Sequence, residues 1–551
     1  MKRRKFIQFS GLSTASFLFT RLNPSTREPG YGMRFPDAIS VRWDGEWFTL
    51  NGKQDHWRFQ DLVVRFRIKD DSLALFIHAP GRALELIRCT WKQTTGASSK
   101  YLNDHWERSY GDLSWETTAV KRRSPWYTLI SDGVKTQAFG VKTRANSICY
   151  WEVSSDKLEL LLDTHSGGMG VQLGQRELRA ADIITTESLP FENPFQTDTR
   201  FCRMMCPNPR LPSKPVYGIN DWYFAYGNNS RDLILETTKL MGDLVTDGSN
   251  TPFSVIDAGW YAEKNDSAVW GPDVTHANDK FKDMAEVAGQ IKKLGMRPGI
   301  WTRALQANSK DSSQSLIPVR KDQADPKERY LDPTIPENLD HIEKTFALYK
   351  SWGYDLVKQD YTSYDLFGRW GFEMNESLTV AGWHFQDRSQ TNAEIILKLY
   401  RAMRSGSGDM YIIGCNTFSH LSAGIFELNR IGDDTSGKEW ARTLKMGVNT
   451  LAFRLPQHNT FYAADGDCVG LTTQIPWEKN KQWLQLLAES SAPLFISAQP
   501  EALGADQKAA IKKAFAQAAV VQPRGEPLDW MTNLRPAEWK LNGEKVNFEW
   551  G

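Results

Sequence analysis

Leu339-Asp-His-Ile342-Glu-Lys-Thr-Phe346-Ala-Leu-Tyr349-Lys-Ser-Trp352-Gly-Tyr-Asp355-Leu-Val-Lys358-Gln-Asp360 sets an amphipathic helix directly before a short apolar strand. In its first half apolar residues return every three or four positions; in its second, Leu356 and Val357 lead into Lys358 and Asp360. The same rhythm recurs throughout the chain after residue 215. Strands are expected at Tyr217–Trp222, Phe253–Asp257, Arg297–Trp301, Asp355–Asp360, Met410–Cys415, Phe426–Arg430, Thr450–Phe453 and Pro493–Ser497. Helical patterns at Asp232–Leu244, Asp283–Leu294, Leu339–Trp352, Ala393–Met403 and Lys479–Glu489 fall between them. Eight strand-helix units over about 300 residues predict an α/β fold, a (β/α)8 TIM barrel spanning 215–522. A doubly wound sheet shares that rhythm and is the alternative.

Outward from this region the pattern changes. Residues 31–205 alternate like β-strands, as in Leu62-Val-Val-Arg-Phe-Arg-Ile68 and Leu73-Ala-Leu-Phe-Ile-His78, and predict a β-sandwich domain. Cys206-Pro-Asn-Pro-Arg-Leu-Pro-Ser-Lys-Pro215 is too rich in proline for regular structure and reads as a linker. Residues 523–551 hold two short alternating runs, Glu538-Trp-Lys-Leu541 and Val546-Asn-Phe-Glu-Trp550, which predict a small C-terminal β appendage. Residues 1–25 place Lys2-Arg-Arg-Lys5-Phe-Ile7 before an apolar stretch from Gly11 to Phe19. That is the order of an export signal of twin-arginine type, and it implies a protein exported to a bacterial periplasm; a general secretory signal has the same basic-then-apolar order. No apolar run is long enough to span a bilayer.

With 67 basic and 66 acidic residues the chain has no general charge with which to bind nucleic acid. Its 21 tryptophans fit sugar-binding clefts, where pyranose faces pack on indoles, and fit a Trp-rich β core equally well. Six cysteines in 551 residues are no disulfide framework, although Cys202 and Cys206 are close enough in sequence to pair. Neither cysteines nor histidines form a metal-ligand motif, so no metal and no cofactor is expected. The expected partner is an uncharged glycoside or oligosaccharide.

Catalysis in a TIM barrel occurs at the C-terminal ends of the strands. There the period of two puts Lys358 and Asp360 on one side of the fourth strand. A lysine beside a carboxylate favours the ionised form that a nucleophile requires. Asn429-Arg430-Ile-Gly-Asp433-Asp434 offers two further carboxylates at the sixth strand's end. A retaining glycosidase needs two, one to attack the anomeric carbon and one to protonate the leaving oxygen and then activate water. Aspartates also cap helices, so the residues alone leave the assignment open. Asp104-His-Trp106-Glu-Arg-Ser-Tyr110-Gly-Asp-Leu-Ser-Trp115 is dense in charges and rings, and reads either as a loop closing over the barrel mouth or as a sandwich corner.

Several motifs fall in one order along the strands: Asn220-Asp-Trp222, Ile256-Asp257-Ala-Gly-Trp260, Pro298-Gly-Ile-Trp301, Lys358-Gln-Asp360, Gly414-Cys415, Arg430-Ile-Gly-Asp-Asp434, Asp465-Gly-Asp467-Cys468 and Ala492-Pro-Leu-Phe-Ile-Ser497. In that order they resemble glycoside hydrolase family 36 and its clan, the α-galactosidases and α-N-acetylgalactosaminidases. The resemblance implies a retaining α-glycosidase with Asp360 as nucleophile and, by the family's Arg-x-x-x-Asp spacing, Asp434 as acid/base. It also implies substrate contacts from Asp257, Lys358, Arg430 and Cys415, with Trp222 and Trp301 lining the pocket. One position departs from the pattern: the family's two adjacent aspartates at the second strand's end are Asp257 and Ala258 here, which points toward another or a modified sugar. A transglycosylase, or a carbohydrate-binding protein without catalysis, is the alternative.

Overall fold

The computed structural model describes residues 34–551 apart from 247, 266–269, 308–314, 324 and 375; the expected export signal lies outside the described residues. Two antiparallel sheets of eight and nine strands occupy residues 38–187. Ala38–Trp43 shows why these segments are strands: Ile39, Val41 and Trp43 alternate inward along it and are buried. The core they enter also takes residues from the second half of the chain, so sandwich and parallel sheet share one hydrophobic cluster. Helix Pro194–Met205 closes the first half. Asn193 and Gln196 form a reciprocal capping box at its start, and proline, whose missing N–H costs nothing in the first turn, opens it. Cys202 and Cys206 sit at its end as free, buried thiols, so the pairing that their spacing allows is not made.

The second half is built on a parallel sheet. Its spatial order is Ala463–Asp465, Leu428–Arg430, Tyr411–Gly414, Leu356–Gln359, Arg297–Thr302, Phe253–Ile256, Tyr217–Asn220, Leu494–Ala498 and Cys468–Leu471. The two ends of this curled sheet are consecutive pieces of chain, separated only by Gly466 and Asp467. Helices Arg231–Gly242, Met284–Lys293, Pro336–Ser351, Asn392–Ser407 and Trp477–Glu489 follow the expected amphipathic patterns. The expected seventh strand does not form: Thr450–Arg454 is helical, continuing the π-helical turn Thr443–Asn449. Thr450-Leu-Ala-Phe453 is buried at every position, and a short unbroken apolar run carries no period to separate helix from strand. Residues 463–471 hold the strand position instead. At the C-terminus Glu526–Pro527, Glu538–Leu541 and Glu544–Asn547 make a small antiparallel sheet. Among the described residues no helix is long and apolar enough to cross a membrane.

Candidate active site

Strand Leu356–Gln359 is buried along its length, and the chain turns sharply just beyond it. The backbone N–H of Asp360 donates to Thr302 O at 3.0 Å, tying it to the neighbouring strand, and Tyr361 then takes a left-handed φ of 63°. That turn aims the Tyr361 N–H at Asp360 Oδ1, 2.8 Å away, while the Trp301 indole N–H donates to Oδ2 at 3.3 Å. Both carboxylate oxygens thus accept a hydrogen bond, which fixes the orientation of the side chain. Lys358, two residues back, faces the same cavity and donates to Asp257 Oδ2 at 2.7 Å. Burial opposes its charge, but Asp257, Cys415 and Asp360 together outweigh it and hold the ammonium pKa well above its ordinary value. Asp257 also accepts from Asn220 at 2.8 Å and from the Ala258 backbone N–H at 2.8 Å.

The opposite charge pattern surrounds the second carboxylate. Arg430 Nη2 lies 3.2 Å and Arg108 Nη1 3.6 Å from Asp434 Oδ1. Burial acts to raise the Asp434 pKa, yet Arg430, then Arg108 and Lys358, hold it down at about 2. Arg430 is itself only 1% exposed, and also pairs with Asp467 at 3.0 Å. Asp433 shares Arg108, which lies 2.8 Å from it, and pairs with Arg442 at 2.7 Å. The adjacent aspartates thus have Arg108 in common and differ in their second partner: Asp434 is backed by the buried Arg430, Asp433 by Arg442.

Arg108 comes from the sandwich half, within the charged and aromatic segment 104–115 that sequence left between two readings. Ser109 forms a parallel β-bridge with Gly432; its N–H donates to Ile431 O at 2.8 Å, and its carbonyl accepts from Asp433 N at 2.7 Å. Glu107 pins the same segment, accepting from Asn416 Nδ2 at 2.5 Å, from Gly371 N at 2.7 Å, and from the hydroxyls of Ser363 and Tyr110. The segment closes over the parallel sheet. The residue that reaches the carboxylates was legible only as a density of charge and rings.

Together these elements line a cavity of about 450 Å³ that holds Asp257, Trp222, Trp301, Lys358, Asp360 and Asp434. Arg430 and Cys415 lie behind that lining, with Cys415 Sγ 3.6 Å from Arg430 Nη1 and 3.7 Å from Arg108 Nη1. Sequence reading did not single out Tyr261, Arg303 or Trp370, which also line the cavity, and marked Arg108 and Tyr110 only as members of segment 104–115. Ala258 is part of the same lining, and its contact with the Asp257 carboxylate is through its backbone N–H.

A cavity at the carboxyl ends of parallel strands, lined by carboxylates and indoles, defines the class of protein as an α/β protein with a sugar-sized polar site. The fold is that of the family 36 α-galactosidases. An α-galactosidase of Thermus thermophilus in complex with p-nitrophenyl α-D-galactopyranoside superimposes with a TM-score of 0.61 at 16% identity, over 93% of this chain and 98% of that one. An AgaA α-galactosidase variant of Geobacillus stearothermophilus, in complex with 1-deoxygalactonojirimycin, does so with a TM-score of 0.60 at 11% identity, over 93% of this chain and 76% of that one. In sequence, an α-galactosidase of Escherichia coli is 28% identical over 182 residues, which are 32% of this chain and 23% of that enzyme's length. No protein-family model matches the chain.

Proposed function

We propose that this protein is a retaining α-glycosidase of α-galactosidase type, working by double displacement through a covalent glycosyl-enzyme. The observation that carries the reading is the arrival of Asp360 and Asp434, from two different strands, in one cavity with unlike surroundings. Asp360 accepts a hydrogen bond on each oxygen, which orients its carboxyl group for attack on an anomeric carbon. As its C–O bond forms, the glycosidic C–O bond breaks and the leaving oxygen takes the proton of Asp434. Water then attacks the same carbon, the bond to Asp360 breaks, and the Asp434 carboxylate takes the water's proton. The cations around Asp434 favour the anionic form needed in that second half, and of them Arg108 comes from the N-terminal half of the chain.

We read the parallel sheet as a (β/α)8 barrel whose seventh strand is the 463–471 stretch, joined through Gly466 and Asp467. Asp257 and Lys358 hold the hydroxyl-binding end. There Ala258 offers a methyl where a second acceptor would bind a sugar hydroxyl, which favours as a second reading an α-glycoside modified at C4 or C6 or of another C4 configuration. Hydrolysis and transglycosylation share the glycosyl-enzyme and differ only in the acceptor. The residue 2–19 pattern supports export to a bacterial periplasm as part of the same proposal.

The test is a panel of aryl α-glycosides with wild type and Asp360→Ala. Turnover of at least one glycoside by wild type is expected, with loss in the variant and partial rescue by azide. A variant as active as wild type would remove Asp360 from the mechanism.

A further inference from the structure

Tyr361 follows Asp360 in the chain, and its backbone stands at a left-handed φ of 63°. Glycine and asparagine enter that region at least cost, and a bulky ring there is an outlier. The conformation delivers the Tyr361 N–H to Asp360 Oδ1. Any residue so placed would deliver one, so the backbone contact does not account for a tyrosine side chain. We propose that Tyr361 is a further catalytic residue, whose phenol hydroxyl donates a hydrogen bond to the leaving oxygen beside Asp434. The inference rests on the glycosidase reading above.

Packing sets the ring between the two carboxylates. One neighbour is Trp301, nearly perpendicular at a centroid distance of 6.4 Å, and its indole N–H donates to Asp360. Another is Trp370, at 5.5 Å, whose face carries the Arg108 guanidinium at 5.7 Å. Arg108 in turn lies 3.6 Å from Asp434. Tyr361, Trp301 and Trp370 all line the catalytic cavity. The face of the Tyr361 ring is covered by Arg303 at 4.4 Å, itself gripped by Asp365 at 2.8 Å. A ring packed on so many sides is held in one orientation.

Its hydroxyl is the only polar atom of the side chain, and it makes no hydrogen bond to any described residue. The residue is half-buried, and a phenol in such a place ordinarily finds a partner. Burial, then the charge of Asp360, push its pKa up; Arg303 opposes them and Asp434 adds to them. The group therefore keeps its proton throughout the reaction and acts only as a donor. A glycosidic bond cleaved between Asp360 and Asp434 sets its oxygen in the space that this hydroxyl shares with them. As the bond breaks, negative charge grows on that oxygen, and a donor already in place needs no reorganisation to meet it. Such a donor matters here because, against burial, Arg430 and then Arg108 hold the Asp434 pKa at about 2. Few Asp434 side chains are then protonated at neutral pH, and the departing oxygen gains from a second hydrogen bond.

Tyr361→Phe removes the hydroxyl and keeps the ring with its stacking. The probes are the phenyl and p-nitrophenyl α-glycosides of the sugar that wild type turns over in the panel above, compared by kcat/KM, which includes the step in which the leaving oxygen departs. The variant is expected to lose about tenfold or more on the phenyl glycoside and clearly less on the p-nitrophenyl one, whose better leaving group gathers less charge on its oxygen. An unchanged kcat/KM on both, or an equal loss on both, overturns the proposal and leaves the glycosidase reading standing. A wild type that cleaves no glycoside of the panel overturns the two together.

Discussion

Asp433 and Asp434 are neighbours to which the proposed mechanism gives different roles, and kinetics on variants of each tests that assignment. Asp434→Ala is expected to lose at least a hundredfold in kcat/KM on glycosides with poor leaving groups and far less on activated aryl glycosides, since a good leaving group needs little protonation. Asp433→Ala should lose less on both, because it frees Arg108 but leaves the Arg430–Asp434 pair. Steady-state kinetics on two leaving groups checks this, and the reverse ranking would exchange the two roles. Arg108→Met tests the electrostatics. Removing a cation from Asp434 raises its pKa from about 2. The step that needs the protonated acid fails as pH rises through that pKa, so the alkaline limb of kcat/KM should move to higher pH. A limb that stays in place while activity falls would leave Arg108 a purely structural part. Ala258→Asp adds an acceptor at the hydroxyl-binding end and should shift preference toward plain α-galactosides; about 1–3 kcal/mol is the usual worth of such a buried contact.

At the scale of elements, helix Pro194–Met205 carries an unusual burden. Asp198 is buried on its inner face; Oδ1 accepts from the Cys202 thiol at 3.4 Å and Oδ2 has no hydrogen-bond partner. Burial, then the nearby charge of Asp104, pushes its pKa up to about 8. The unfolded chain would ionise it near 4, so the folded state binds the extra proton between about 4 and 8. Its stabilising contribution is therefore present below about 4 and lost as pH rises through about 8. Wild type should lose more melting temperature between pH 5 and 8 than Asp198→Asn does, as scanning calorimetry would read. Equal losses would show that Asp198 titrates normally. Segment 104–115 is the other decisive element. It is a loop held by Glu107 and by the Ser109–Gly432 bridge, and without those ties nothing would fix Arg108 at the carboxylates.

Across the whole molecule the two halves are joined by more than a linker. One hydrophobic cluster runs through both, Trp126 of the sandwich stacks on His420 at 5.0 Å, and Arg454 pairs with Asp104 at 2.6 Å. A single calorimetric transition is the expected outcome; two resolved transitions would show that sandwich and parallel sheet fold independently. The alternating β patterns, the strand-helix rhythm and Lys358-Gln-Asp360 were readable because a period of two or 3.6 fixes which side of an element a residue faces, without reference to anything distant. Such periodicity also put Lys358 and Asp360 on one cavity wall. It misled where period is missing, as at Thr450–Phe453, which reads as a strand and folds as a helix, and it was silent where a strand is broken into pieces as short as 463–465 and 468–471. Whether 104–115 would close over the site was equally out of its reach. Arg108 and Asp434 are 326 positions apart in the chain, and the depressed pKa of Asp434 arises from charges of separate elements. Local sequence thus determined the elements and the carboxylates they carry. Only tertiary packing decided which cations meet them, because Coulomb interactions and burial depend on distance through space, which no local pattern encodes.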